Sequence, residues 1–519
     1  MSIRGVAPHR PPPGNRPGYG PAVAAPASED RVTAAVPAGT AFAVFGCLVT
    51  AIFAQAGTAS GMARFGAYGL GISLAGSVLM DFRVGLRNLI RADLLALAAL
   101  YFLVFFEFLF PQERFDLMVT PETAHTGITA VAVGAIGILV GRHLWKPKQR
   151  PLQSLLTREI PPHMLLIIFW SSMAIGYLHM LLAVDFDVVK LIDNFMGPRF
   201  SQPWARGKFG DWKALLYELG LFIYLLPPLG GIMLARRERY SKFSLVLVMA
   251  AVGFTFFFGF SGGTRNILAS YLVTFLIGYA FAAGPKRQKE MSILCTAGVA
   301  VALVASQLML QFRNDGMKNW LAAAPVPAET AAEREMFVDY NLYAICRLIE
   351  TFPKNVHYLG WEIPYAAIIR PIPRAMWPSK PEGLTSSIED PLGVENMTIS
   401  ATFVGEAYMS GGLFAVALAG LAFGALFGWW NYVASLRNSE MGILIYSSGF
   451  FAAVISMRSM LVFTTALLPT GAAILLGWIV VRQAAALERL RLRLLKSRTP
   501  AQNIRSINRN APAPKGRPR

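Results

Sequence analysis

Residues 243–284 read FSLVLVMAAVGFTFFFGFSGGTRNILASYLVTFLIGYAFAAG, and this stretch decides the fold. It consists of two apolar runs, 243–260 and 267–284, on either side of the polar turn Ser261-Gly262-Gly263-Thr264-Arg265-Asn266. A hydrocarbon core of about 30 Å takes roughly 20 apolar residues to cross as a helix, and a helix satisfies its own backbone there. The stretch therefore reads as two membrane-crossing helices joined by a short turn.

The same pattern recurs outward along the chain. Apolar segments are expected as spans at 38–57, 64–80, 93–110, 125–141, 163–184, 214–235, 243–260, 267–284, 292–311, 403–431, 442–460 and 462–481. The fold class is all-α: a polytopic integral membrane protein of about twelve transmembrane helices, with the membrane domain over 38–481. Of the 519 residues 54% are hydrophobic and only 15% charged, against about 25% charged in an ordinary soluble domain, which excludes a soluble globule. The three cysteines, Cys47, Cys295 and Cys346, supply neither a disulfide framework nor a cysteine metal site. Residues 1–37, rich in proline, glycine and arginine, read as a disordered tail without a cleaved leader, and 482–519 as a basic tail that includes an amphipathic stretch for an anionic leaflet.

The formal charge of +18 falls in the tails and in short connections between spans, a positive-inside pattern and not a nucleic-acid surface. The connections expected on the cytoplasmic side carry Arg83, Arg87 and Arg91; Arg142, Lys146, Lys148, Arg150 and Arg158; Arg236, Arg237, Arg239 and Lys242; and Lys286, Arg287 and Lys289. Both tails are then cytoplasmic. Two enlarged external loops result, 185–212 and 312–400, and the second holds eight Lys or Arg against eleven Asp or Glu. Within it a helix is expected over 331–352, followed by a Pro-punctuated rigid loop that holds Arg370, Arg374 and Lys380 near the outer face, with an apolar and aromatic flank toward the bilayer.

Several residues could carry chemistry. Arg265 beside Gly262 and Gly263 either grips a diphosphate with parallel hydrogen bonds or snorkels to the interface. Arg199, Arg206 and Lys208 share a loop with Asp185, Asp187, Asp193 and Asp211, so solvated ion pairing explains them by spacing alone. Asp185 and Asp187 form an Asp-x-Asp of the kind that holds metal, a motif common by chance. Glu406 at the start of a span is either the ion-pair partner of a buried arginine or a catalytic carboxylate. Arg458 reads as structural, and His357 as a proton carrier or an idle loop histidine.

The turn Gly263-Thr264-Arg265, the segment Ile372-Pro373-Arg374-Ala375-Met376-Trp377-Pro378-Ser379-Lys380-Pro381 and Thr402 to Tyr408 with Gly411 and Gly412 together resemble the O-antigen polymerase family, the Wzy-type oligosaccharide repeat-unit polymerases. The family's third-loop spacing of an arginine and a glycine eleven positions apart is matched by Arg199 and Gly210. The fifth loop departs from it, with Pro381 eleven beyond Arg370 and Thr385 eleven beyond Arg374. The resemblance implies a glycosyltransferase of the bacterial inner membrane that polymerises undecaprenyl-diphosphate-linked oligosaccharides at its outer face. No cofactor or metal is expected. The implied partners are that lipid, the surrounding membrane lipids, a flippase and a chain-length regulator. On this reading Arg265, Arg199, Arg206, Arg370, Arg374 and Lys380 serve the diphosphate, Gly210 marks the third-loop device, and Glu406, then His357, serves as base or as the group orienting an arginine. The rivals are an O-antigen ligase-like transferase, separable by gene neighbourhood, and a lipid-linked oligosaccharide transporter, which predicts internal repeats and discontinuous helices. A third, a transferase using a lipid monophosphate donor, calls for acidic residues in the first external loop, and Thr58 to Phe65 contains none.

Overall fold

The structure is a computed structural model, and it describes residues 35–144, 159–198, 201–204, 218–284, 287–312, 315–322, 340–372, 376–381, 384, 400–435, 439–480, 482–483, 486 and 490. Every element among these residues is helical. In chain order the main helices are α1 Pro37–Phe53, α2 Ala59–Phe82, α3 Ala92–Val104, α4 Pro121–Gly141, α5 Pro162–Ala183, α6 Leu219–Ala235, α7 Lys242–Ser261, α8 Arg265–Ala282, α9 Gln288–Phe312, α10 Asn341–Thr351, α11 Glu362–Ile369, α12 Thr402–Ser435, α13 Glu440–Arg458 and α14 Met460–Val480. Nine of the described helices are long and apolar enough to cross a membrane; α1, α3 and α6 are apolar but shorter. The chain is a multi-pass membrane protein. Helix starts follow local chemistry: Pro37, Pro121 and Pro162 stand in first turns, while Thr58, Thr120, Ser241 and Ser439 cap orphan N–H groups.

Helices in lipid associate through close packing, which favours small residues at the contact. A Cβ on Gly420 would lie 2.6 Å from the Gly134 carbonyl oxygen, one on Gly424 2.4 Å from that of Ile138, and one on Gly428 2.4 Å from that of Arg142. The numbers ascend together, so α4 and α12 run parallel with their backbones in contact. By the same logic α8 and α13 are antiparallel: Phe281 packs on Tyr446 at 5.1 Å, while Tyr271 and Phe451 both meet Tyr224, at 5.1 and 4.8 Å. Arg265 and Arg458 therefore stand at one end of the bundle.

Three expectations change. The segment 403–431 is not one continuous span. At 34 residues α12 would be about 51 Å long as one helix. It breaks instead at Gly411 and at Gly412, whose φ of 63° and ψ of −154° suit only glycine. Residues 402–410 form a short inner helix, and residues 413–435 are long enough to cross alone, with Phe414 and Leu418 exposed. Two of the carbonyls at the break are met by a strap between α10 and α11: Leu359 N–H donates to Met409 O at 2.8 Å and Gly360 N–H to Ser410 O at 2.9 Å.

The second change concerns charge. Arg91 and Arg142, expected in basic connections, are buried, with side chains 0% and 1% exposed. Arg91 pairs with Asp81 at 2.8 Å and Asp93 at 3.0 Å, and Arg142 with Asp93 at 3.0 Å. Thr40 and Asn431 complete the cluster, each at 2.5 Å from its partner, so that α1, α2, α3, α4 and α12 are tied at one end by two positive and two negative charges. Arg236 and Arg239 likewise share one carboxylate oxygen of buried Glu440. The third change is α11. Glu362–Ile369 is helical, with Pro364 tolerated in the first turn. Within the helix expected over 331–352 the described part is α10, and residues 331–339 lie outside the described set.

Candidate functional site

The site is built where the inner helix of α12, the α13–α14 junction and α11 meet. Glu406 is buried and lies one turn inside the 402–410 helix. Its Oε1 accepts from the Ser459 hydroxyl at 2.5 Å, and its Oε2 from the backbone N–H of Met460 at 2.6 Å and of Leu461 at 3.1 Å. Those N–H groups open α14 and have no partner within their own helix, so Glu406 supplies from 53 residues away the anion that a helix N-terminus favours. Arg370 ends α11, and its guanidinium attracts the same carboxylate. Ser400 Oγ donates to Arg458 O at 2.5 Å and the Thr464 hydroxyl to Ala367 O, closing the junction.

Arg265 occupies the first position of α8, after Gly263 at φ 63°. Its charge is half-buried beside a helix N-terminus, where the helix dipole also presents positive potential. The combination favours an anion, and the antiparallel pairing of α8 with α13 sets it at the same end as Ser459 and Glu406.

Lys380 turns inward along the chain: its Nζ donates to Arg370 O at 3.0 Å and Ile372 O at 2.9 Å, holding the C-terminus of α11. His357 is exposed on the strap and stands outside the Glu406 contacts. Arg199, Arg206, Gly210 and Arg374 lie outside the described residues. Pro198, immediately before Arg199, abuts the second enlarged segment: a Cβ on Gly316 would be 2.7 Å from its nitrogen, and Lys318 N–H donates to Met196 O at 3.0 Å.

The Asp-x-Asp has a structural use. Asp187 caps Val188–Phe195 by accepting from Lys190 N–H and Val189 N–H, both at 3.0 Å, and these bonds hold its carboxyl below the ordinary aspartate range. Among the described residues no three His, Cys, Asp or Glu converge as a metal-binding group.

Sequence reasoning missed Ser459, Tyr358 and Tyr408. Ser459 had a signal, a cap-type residue directly before an apolar run. The tyrosines had none, because only the break in α12 brings the Tyr358 hydroxyl to 2.8 Å from where a Gly412 Cβ would stand, with the two rings 6.2 Å apart. Comparison with family models, with curated proteins and with solved structures finds no match for this chain.

Proposed function

We propose that this chain polymerises undecaprenyl-diphosphate-linked oligosaccharide repeat units into a surface polysaccharide at the outer face of the bacterial inner membrane. It crosses twelve times, with α1, α3 and α6 as the short crossings, both termini inside, and residues 312–400 outside. The observation that carries the reading is the placement of Arg265 in the first turn of α8, at the bundle end that also holds Arg370 and Glu406.

Glycosyl transfer from such a lipid breaks the bond between the anomeric carbon and the diphosphate oxygen while an acceptor hydroxyl oxygen bonds to that carbon. Negative charge collects on the departing diphosphate. A forked, permanently charged donor held in a partly dry site stabilises it in place. Arg265 and Arg370 serve this role, and the resemblance alone assigns Arg199 and Arg374 to it. Glu406, whose two oxygens engage three donors, anchors α14 and acts on Arg370 through its charge, and the acceptor's proton leaves to a base, Glu406 first and the exposed His357 second. The test is reconstitution of the purified protein with a defined lipid-linked repeat unit. Polymer ladders and release of the lipid diphosphate are expected; their absence from a folded, reconstituted sample would refute the reading.

The break in α12 favours a second reading, a transporter, since discontinuous helices line substrate sites in many transporters. The freed carbonyls of Met409 and Ser410, however, are met by protein N–H groups and offer little to a passing ligand. Movement of labelled lipid-linked repeat unit between vesicle leaflets, without polymer formation, would establish that reading instead.

A further inference from the structure

Helix α11 is apolar on two opposite faces. Ile363 and Ala367 are buried against the start of α14, where the Thr464 hydroxyl donates to Ala367 O. On the other side Trp361, Tyr365 and Ile368 recur at spacings of four and three and are 84%, 49% and 66% exposed. Eight residues make about 12 Å of helix, too short to cross a core of about 30 Å. The helix is nonetheless fixed to the first turn of an apolar helix of crossing length, whose own Leu467 and Leu475 are exposed on its flank.

We infer that α11 lies in the plane of the bilayer interface, with Trp361, Tyr365 and Ile368 immersed in lipid, and that it thereby presents Arg370 from its protein side at headgroup depth. Three observations commit the stripe to lipid. The helix that α11 is fixed to, α14, itself exposes Leu467 and Leu475. Its two ring residues are of the amphipathic kind enriched where hydrocarbon meets water. The charged end is turned away: Arg370, nine residues after Trp361, sits about 180° around the helix from it, on the side of Ile363 and Ala367. Lys380 closes the helix C-terminus on that same segment. The surface thus sets the depth at which α11 holds Arg370. The inference rests on the chain spanning a membrane and is independent of the polymerase reading, so its test needs no activity.

The experiment is spin-label accessibility in the full chain, reconstituted into vesicles of phosphatidylethanolamine and phosphatidylglycerol. Cys47 and Cys346 are buried, so Cys295→Ser gives a suitable background. Labels go singly at Trp361→Cys, Tyr365→Cys and Ile368→Cys, with Leu475→Cys as the lipid reference and Lys354→Cys, on the exposed turn after α10, as the water reference. The expected result is collision with oxygen exceeding collision with a water-soluble nickel chelate at 361, 365 and 368, as at 475 and opposite to 354. Chelate-dominated collision at the three positions would overturn the inference. So would low collision with both, which would mean that protein, such as a second copy of the chain, covers the stripe. Each position reports independently, so one poorly folding variant leaves the other two to decide.

Discussion

Glu406 Oε2 accepts the backbone N–H of Met460 at 2.6 Å, and through this bond a carboxylate on one helix closes the N-terminus of another 54 residues away. Its other oxygen holds the Ser459 hydroxyl. Glu406→Ala leaves these donors buried without an acceptor, an expected loss of about 1–3 kcal/mol. Glu406→Gln keeps one good acceptor and should lose less. Thermal unfolding in detergent, followed by size-exclusion, checks this; an unchanged melting temperature for Glu406→Ala would show that the carboxylate is not a structural cap.

Gly424 lies against Ile138 with no room for a side chain. Gly424→Leu is expected to part α4 from α12 and abolish folded yield, and Gly424→Ala to cost about 1–3 kcal/mol by overpacking. Gly253 in α7 is the control, because a Cβ there meets nothing within 4 Å. Gly253→Ala should be neutral or stabilising by up to about 1 kcal/mol. Similar melting behaviour of the two alanine variants would refute the close-packing account.

Arg91 is shared by Asp81 and Asp93 in a dry cluster. Removing one partner of a buried pair commonly costs about 3–5 kcal/mol. Arg91→Met should therefore deplete folded protein, and adding Asp81→Leu should restore part of it by deleting the stranded charge. Abundance and unfolding temperature are the readouts, and a double variant worse than the sum of its singles would count against ion pairing as the cause.

Arg265→Ala is expected to nearly abolish polymer formation, and Arg265→Lys to reduce it substantially, with protein level unchanged. Lysine keeps the charge but loses the fork. Loss of one charge-assisted contact in a low-dielectric site costs about 2–5 kcal/mol, or tens- to thousands-fold in rate. Polymer length and yield normalised to protein in a strain lacking the wild-type copy decide the matter; normal ladders from Arg265→Ala would remove this residue from the site.

A reporter fused after Lys354 is expected to act outside the cytoplasm, because the basic connections point the other way. Activity there of a reporter that works only in the cytoplasm would invert the proposed orientation.

The apolar runs by themselves determined that this is a helical membrane protein and nearly where each helix lies. Lipid requires every spanning backbone to satisfy itself, so length and hydropathy alone mark a crossing. The turn at Gly263 to Arg265 was legible for the same local reason, a glycine-rich interruption between two such runs. What each polar residue does was decided only by tertiary structure. Core-facing and lipid-facing positions are equally apolar here, so no periodicity announces which side of a helix is buried. Arg91 and Arg142 counted in the sequence only as members of basic connections, and helix packing turns them onto Asp81 and Asp93. Glu406 gave no sign in the sequence of its contact with Ser459 and Met460, and the break at Gly412 is matched by N–H groups of Leu359 and Gly360 that only the fold brings there. Apart from those of Arg91, which reach two and ten positions along the chain, these contacts join residues about fifty positions apart, and the physical condition they meet, that no buried charge or backbone group be left without a partner, can be checked only once the helices are side by side.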